Sequence, residues 1–222
     1  MSTAASILQR CDRLGDVSEE PDRLVRRYAT RAMREANDLV AGWMREAGLA
    51  VHEDAAGNLI GRREGAGRTL VLGSHLDTVI DAGRYDGPLG VIAAIALVER
   101  LGRKPLPFAV EVVGFADEEG VRYPTSFLGS SALAGRFAPA WLGLTDADGV
   151  TMADALRAFG GDPGAVASAA RSPDELLGYC ELHIEQGPVL ERRGVPVGVV
   201  TTISGQTHAE VTFRGEAGHA GT

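Results

Sequence analysis

Apolar residues recur along this chain with two different periods, and their alternation predicts an architecture. Ile7, Leu8, Cys11 and Leu14 fall on one helical face, and a longer stripe over 30–47 gathers Ala32, Ala36, Leu39, Val40, Trp43 and Ala47 ahead of a stop at Gly48. Short runs at 49–51 and 58–61 flank EDAAG as a hairpin. TLVLGS and FAVEVVGFA, dense in Val, Leu and Phe, read as strands buried on both faces, with GPLGVIAAIALVERLGR as a helix between them. A strand–helix–strand unit predicts parallel pairing, so the expected class is α/β, a mostly parallel central sheet flanked by helices. Further helices are expected near 130–136 and over 152–159 behind a Thr151 cap, GYCELHIEQG as one more strand, and GDPGAVASAARSPDE as a surface loop.

Near the end the pattern changes. VPVGVVTTI and QTHAEVTFRGE read as two strand-like runs around Ser204 and Gly205, followed by a glycine-rich loop bearing His219. The expectation is a first domain over 1–205 and, from 206 to 222, the start of a second domain that continues beyond this chain.

Composition narrows the function classes. With 222 residues, 45% of them hydrophobic, the chain can bury one sizeable core, and its formal net charge of −8 disfavours nucleic acid or an anionic membrane as partner. A small-molecule partner is expected instead. The N-terminal segment has no signal-peptide core and no later run reaches bilayer-spanning length, which makes the cytoplasm the expected location. Cys11 and Cys180 lie far apart outside any CxxC pattern; both are expected to be buried thiols.

Four polar constellations remain. In GSHLDTVIDAGRYDG, His75 and Asp77 are two apart, so on extended chain they share a face and the carboxylate can hold one imidazole nitrogen while the other meets a metal. An ordinary surface pair is the alternative. Asp86 enters the next helix, where capping competes with metal binding, and Asp81 reads as a solvated turn residue. FADEEG closes the neighbouring strand; on extended chain Glu118 and Glu119 point to opposite sides, one toward a metal and one toward an attacked carbonyl, with plain solvation as the alternative. ELHIEQGP puts His183 on a third strand, so three strand ends would deliver imidazole or carboxylate where open α/β sheets bind ligands. His75, Asp86, Glu119 and His183 form a nitrogen and oxygen donor set suited to Zn²⁺, Mn²⁺, Co²⁺ or Ni²⁺, and a pair of such ions would account for so many candidates, leaving Glu118 as proton shuttle. His52 and His208 read as surface positions.

The ordered motifs GSHLDTVIDAGRYDGPLGV, FADEEGVRYPTSFLGSSALAG, ELHIEQGPVLE and GEAGHAGT closely resemble the amidase/carbamoylase branch of the M20 metallopeptidase family, which includes allantoate amidohydrolases and N-carbamoyl-L-amino acid hydrolases. The resemblance implies a zinc-peptidase-like catalytic domain with an α+β lid and dimerisation domain following it. It implies metal ligation by His75, Asp86, Glu119 and His183, with Asp86 bridging two divalent ions, Zn²⁺ or Mn²⁺ first and Co²⁺ or Ni²⁺ as alternatives. Glu118 is then the general base, Asp77 the residue orienting His75, and Gln186 and His219 contacts to substrate. The implied activity is hydrolysis of a ureido or carbamoyl C–N bond in a small carboxylated substrate, by a homodimer at full length. In the family a last His ligand and the carboxylate-binding Asn and Arg come from a second half without counterpart here, so this chain alone is expected to show little activity. The competing readings are an M20-type peptidase and a non-catalytic binding domain that keeps the fold.

Overall fold

The computed structural model describes residues 3–102, 104–205, 207, 209, 211–219 and 221. Helix α1, Ala4–Gly15, begins in a capping box between Thr3 and Ser6, and α2, Arg31–Glu46, begins where the Thr30 hydroxyl accepts the Met33 amide. Their apolar stripes bury Cys11 and Leu14 from α1 and Met33, Val40, Trp43 and Met44 from α2. With Val91, Ile92 and Ile95 of α3, Pro88–Leu101, they cover one sheet face through Leu72, Val110 and Val112. The opposite face buries Ile60, Val71, Val113 and Phe115.

Among the described residues the sheet has five strands: β1 Ala50–Glu53, β2 Leu59–Arg63, β3 Thr69–His75, β4 Ala109–Phe115 and β5 Leu176–Cys180, in the order β1-β2-β4-β3-β5. β3 pairs in parallel with β4 on one side and β5 on the other. The expected hairpin is β1–β2, and β2 also runs antiparallel to β4. The α/β class holds, with β2 the one strand reversed against the other four. Continuous burial along β3 and β4 follows from their central places in the order, each flanked by strands and covered on both faces.

Several elements depart from the sequence expectation. Helix α4 is Leu128–Leu133, earlier than 130–136, because the Ala134 and Gly135 amides turn back onto carbonyls of Ser130 and Ala132. Helix α5, Met152–Phe159, follows its Thr151 cap as expected. The stretch after it lies mostly on the surface as expected, with two short turns that anchor it: Val166 and Ala169 are buried, and Arg171 Nη1 sits 3.0 Å from both oxygens of the buried Glu111 on β4. β5 stops at Cys180, and residues 181–184 continue without a ladder, since β3 is its one neighbour. That edge position also exposes Cys180, contrary to the expectation of two buried thiols; Cys11 is buried, and burial pushes its thiol up to about 11.

The chain divides into two compact units, Met1–Ile184 and Glu185–Thr222. In the second, the short helix α6, Val189–Arg193, starts where the amides of Val189 and Leu190 donate to the Glu185 carboxylate. The strand-like run at 195–203 forms no strand, nor do the described residues of 206–216, and Val197, Val199 and Val200 are exposed. Gln206, His208 and Glu210 lie outside the described residues. No helix among the described residues is long and apolar enough to cross a membrane.

Candidate metal centre

Parallel register brings three strand ends to one level. His75, the last residue of β3, lies opposite Phe115, so the acidic run 117–119 begins two residues beyond it. On the other side Leu72 lies opposite Cys180, and counting three residues onward from each reaches His75 and His183. Their rings stack with centroids 5.9 Å apart.

Both imidazoles are anchored through Nδ1. His75 Nδ1 is 2.9 Å from the Asp77 carbonyl oxygen, and His183 Nδ1 is 3.0 Å from that of Ile184. A carbonyl can only accept, so each Nδ1 carries a proton, which leaves each Nε2 as the nitrogen that faces the carboxylates and that a metal ion would take in place of a proton. His183 Nε2 lies 3.1 Å from Asp86 Oδ1, and His75 Nε2 lies 3.9 Å from Glu118 Oε2.

Asp86 reaches this point from the entry to α3. Pro88 takes the first helical position and Gly87 the cap, and Asp86, just before them, is buried. Gly87 is irreplaceable on two grounds: its φ is 83°, and a Cβ there would stand 2.5 Å from the His75 ring.

The acidic run is a turn, not the extended chain expected from sequence, because β4 ends at Phe115 and Asp117 takes a left-handed φ of 50°. Asp77 seats that turn: its Oδ1 accepts the Glu118 amide at 3.1 Å and its Oδ2 the Glu119 amide at 3.0 Å. Its carboxylate is 3.7 Å from His75 Nδ1, so the imidazole is oriented by the Asp77 backbone oxygen, and the side chain faces the neighbouring strand end. Glu118 and Glu119 thus emerge side by side on the His75 side and not on opposite faces of a strand. Asp81 is a turn residue as expected, exposed with φ 56°, and exchanges hydrogen bonds with the Leu24 amide and carbonyl.

Negative charge accumulates here. Burial raises the Glu118 carboxyl above the usual range; His75 opposes this, while Asp77 and Glu181 add to it. Burial raises Glu119 as well, against His75 and with Glu118, Asp77 and Asp86 adding to the shift. For His75 burial pulls downward, but Asp77 and Glu118 outweigh it and the net shift is upward. A cation would relieve all of these repulsions. His75, Asp86 and His183 each offer a ligand atom within 4.8 Å of the other two, as do His75, Glu118 and Glu119. Imidazole nitrogens with carboxylate oxygens and no thiolate fit a divalent ion of the zinc or manganese kind.

Gln186 and His219 belong to the second unit. Gln186 has a left-handed φ of 56°, and His219 Nδ1 accepts the Gly221 amide at 3.1 Å.

Three supporting residues escaped the sequence reading. Arg26 is fully buried; its Nε donates to the Leu76 carbonyl at 2.7 Å and its Nη1 to those of Leu14 and Val17, which fixes the chain between His75 and Asp77. Asn58 accepts the Ala116 amide at 3.0 Å and donates to Asp54 and the Gly129 carbonyl, tying the base of the acidic turn to α4. Neither leaves a sequence signal for its part at the site, because there each acts on backbone atoms remote in sequence. Glu181 did leave one: it stands two residues before His183, the same spacing that singled out His75 and Asp77.

A family model described as Peptidase family M20/M25/M40 matches residues 71–220. An N-carbamoyl-L-amino acid amidohydrolase of Geobacillus stearothermophilus is 48% identical over 219 residues, covering 96% of this chain and 54% of that protein. An allantoate deiminase of Arabidopsis thaliana is 46% identical over 224 residues, covering 96% and 42%. The crystal structure of a hydantoinase/carbamoylase family amidase from Burkholderia ambifaria superposes with a TM-score of 0.78 at 34% identity, covering 86% of this chain and 47% of that one. The chain therefore spans about half the length of the curated relatives it matches.

Proposed function

The chain belongs to the M20/M25/M40 peptidase family, and from that premise we propose that it is the catalytic part of a metal-dependent amidohydrolase acting on a ureido or carbamoyl C–N bond of a small carboxylated substrate. The carrying observation is the meeting of His75, Asp86 and His183 within ligand distance of one another, with Glu118 beside them. The names of the relatives, an N-carbamoyl amino acid amidohydrolase and an allantoate deiminase, support the ureido class, and VRYPTSFLGSSALAG inclines the reading toward allantoate.

In this reading His75, Asp86, Glu119 and His183 would hold two divalent ions, Zn²⁺ or Mn²⁺; the meeting of His75, Asp86 and His183, and of His75 with Glu119, supports it. Bound ions of this kind lower the pKa of a water and polarise a carbonyl oxygen. Glu118 takes a proton from the attacking water and gives it to the departing nitrogen, a task that suits a carboxyl raised by burial toward neutral pH. Asp77 holds Glu118 and Glu119 in place through their amides. Gln186 and His219 contact the substrate, and residues 206–222 open a lid and dimerisation domain. A homodimeric, cytoplasmic full-length protein belongs to the same proposal.

The test is ammonia release by the full-length protein from allantoate and from N-carbamoyl-L-amino acids, with and without Mn²⁺. Metal-dependent release from one class supports the proposal. Release from neither, with dipeptide cleavage instead, would favour the peptidase reading; no turnover of any kind would favour a binding domain.

A further inference from the structure

His183 presents a mechanical problem. It is proposed to ligate a metal, yet β5 ends three residues before it, and residues 181–184 have no strand ladder to fix them. Something else must set its position, because a ligand displaced by about an ångström loses much of its function.

Glu181 is placed to do this. One carboxylate oxygen accepts the Ser74 hydroxyl at 2.5 Å, and the other accepts the Tyr179 hydroxyl at 2.7 Å. Ser74 is buried in β3 immediately before His75. Tyr179 lies in β5, its ring edge-on to Phe115 of β4 at 5.9 Å and its hydroxyl 3.2 Å from the Gly73 carbonyl. One carboxylate therefore ties the segment after β5 to β3 directly and, through Tyr179, to β4. The next residue is also confined: a Cβ on Gly90 of α3 would lie within 2.8 Å of Ser74 Cβ, and the Leu182 carbonyl oxygen passes closer still. The segment is thus pinned at Glu181 and seated on bare helix backbone at Leu182, and His183 follows directly, with its ring against Asp86 and His75.

We propose that Glu181 is a positioning residue for the metal centre, a carboxylate clamp between Ser74 and Tyr179 that sets the place of His183. The inference rests on the metal-binding reading above, and Glu181 itself stands in neither ligand group among the described residues. Removing hydrogen-bond partners around metal ligands typically weakens metal binding about 10-fold to 100-fold.

Titration of the chain with Co²⁺, followed by its visible d–d absorption, tests the clamp without relying on turnover. His183→Ala serves as the control for losing the imidazole. Glu181→Gln, nearly isosteric but unable to accept both hydroxyls, is expected to bind Co²⁺ about 10-fold or more weakly and to shift the spectrum toward that of His183→Ala, with an unchanged melting temperature before metal is added. Tyr179→Phe removes one hydroxyl from a half-exposed ring and is expected to give a smaller shift in the same direction; it carries the test should Glu181→Gln fail to fold. Wild-type affinity and spectrum in both variants, alongside loss in His183→Ala, would overturn the clamp and leave the metal reading standing. No Co²⁺ binding by the unmodified chain would overturn both.

Discussion

At the scale of single residues, the site divides into groups that would meet the chemistry and groups that hold them. Glu118 belongs to the first. Changing Glu118→Gln in the full-length enzyme should lower kcat by about 100-fold to 10,000-fold with little change in metal content, since general acid–base catalysis commonly contributes that much; steady-state rates with metal analysis check it. Gly87 belongs to the second. Its substitution by Ala would need both a left-handed backbone and a displaced His75 ring, so Gly87→Ala should weaken Co²⁺ binding and lower the melting temperature together. The side chains proposed as ligands in the first unit were legible in sequence because imidazoles and carboxylates at strand ends are conspicuous. Arg26 and Asn58 were not, since what they bind is carbonyl and amide of distant segments, and backbone atoms look alike in any sequence.

At the scale of elements, the hydrophobic periods located α1, α2, α3, α5 and the β3–β4 core because those elements pay their folding entropy by burial along their own length. The elements misjudged are the ones governed by neighbours. β5 ends at Cys180 although β3 runs three residues further to His75, and 195–203 is apolar enough for a strand but pairs with none among the described residues. The site depends on how elements are stitched, and Arg26 is the main stitch between the N-terminal segment and the end of β3. Arg26→Ala would remove the side-chain donor to the carbonyls of Leu76 and Val17, while the Leu14 carbonyl keeps the amides of Asp16 and Val17. At about 1 kcal/mol for each of the two unmet groups, the loss should be about 2 kcal/mol, a fall in melting temperature of roughly 4–8 °C. Thermal unfolding followed by circular dichroism checks this.

At the scale of the whole molecule, the carboxylates near the site set how stability depends on pH. Asp117, Glu118 and Glu119 all have folded-state pKa values raised by burial, and so does Asp54 beneath them. A group raised on folding adds stability that is fully present below its unfolded value and is lost as pH climbs through its folded value. Without metal, the protein should therefore lose melting temperature as pH rises from about 4.5 toward neutrality. His75, also raised on folding, works in the same direction from its ordinary value of 6.5 upward. A divalent ion reverses the trend by pairing with the ionised carboxylates, so Mn²⁺ should stabilise strongly at about pH 8 and little at about pH 5. Melting curves with and without Mn²⁺ across that range check both halves.

All of this hangs on one placement, a divalent ion among His75, Asp86 and His183. Crystals of the chain soaked in Mn²⁺ and measured for anomalous scattering locate the ion directly. The account predicts an anomalous peak within coordination distance of His75 Nε2, His183 Nε2 and the Asp86 carboxylate; a fully soaked crystal with no peak there, or with manganese bound only elsewhere, would contradict it.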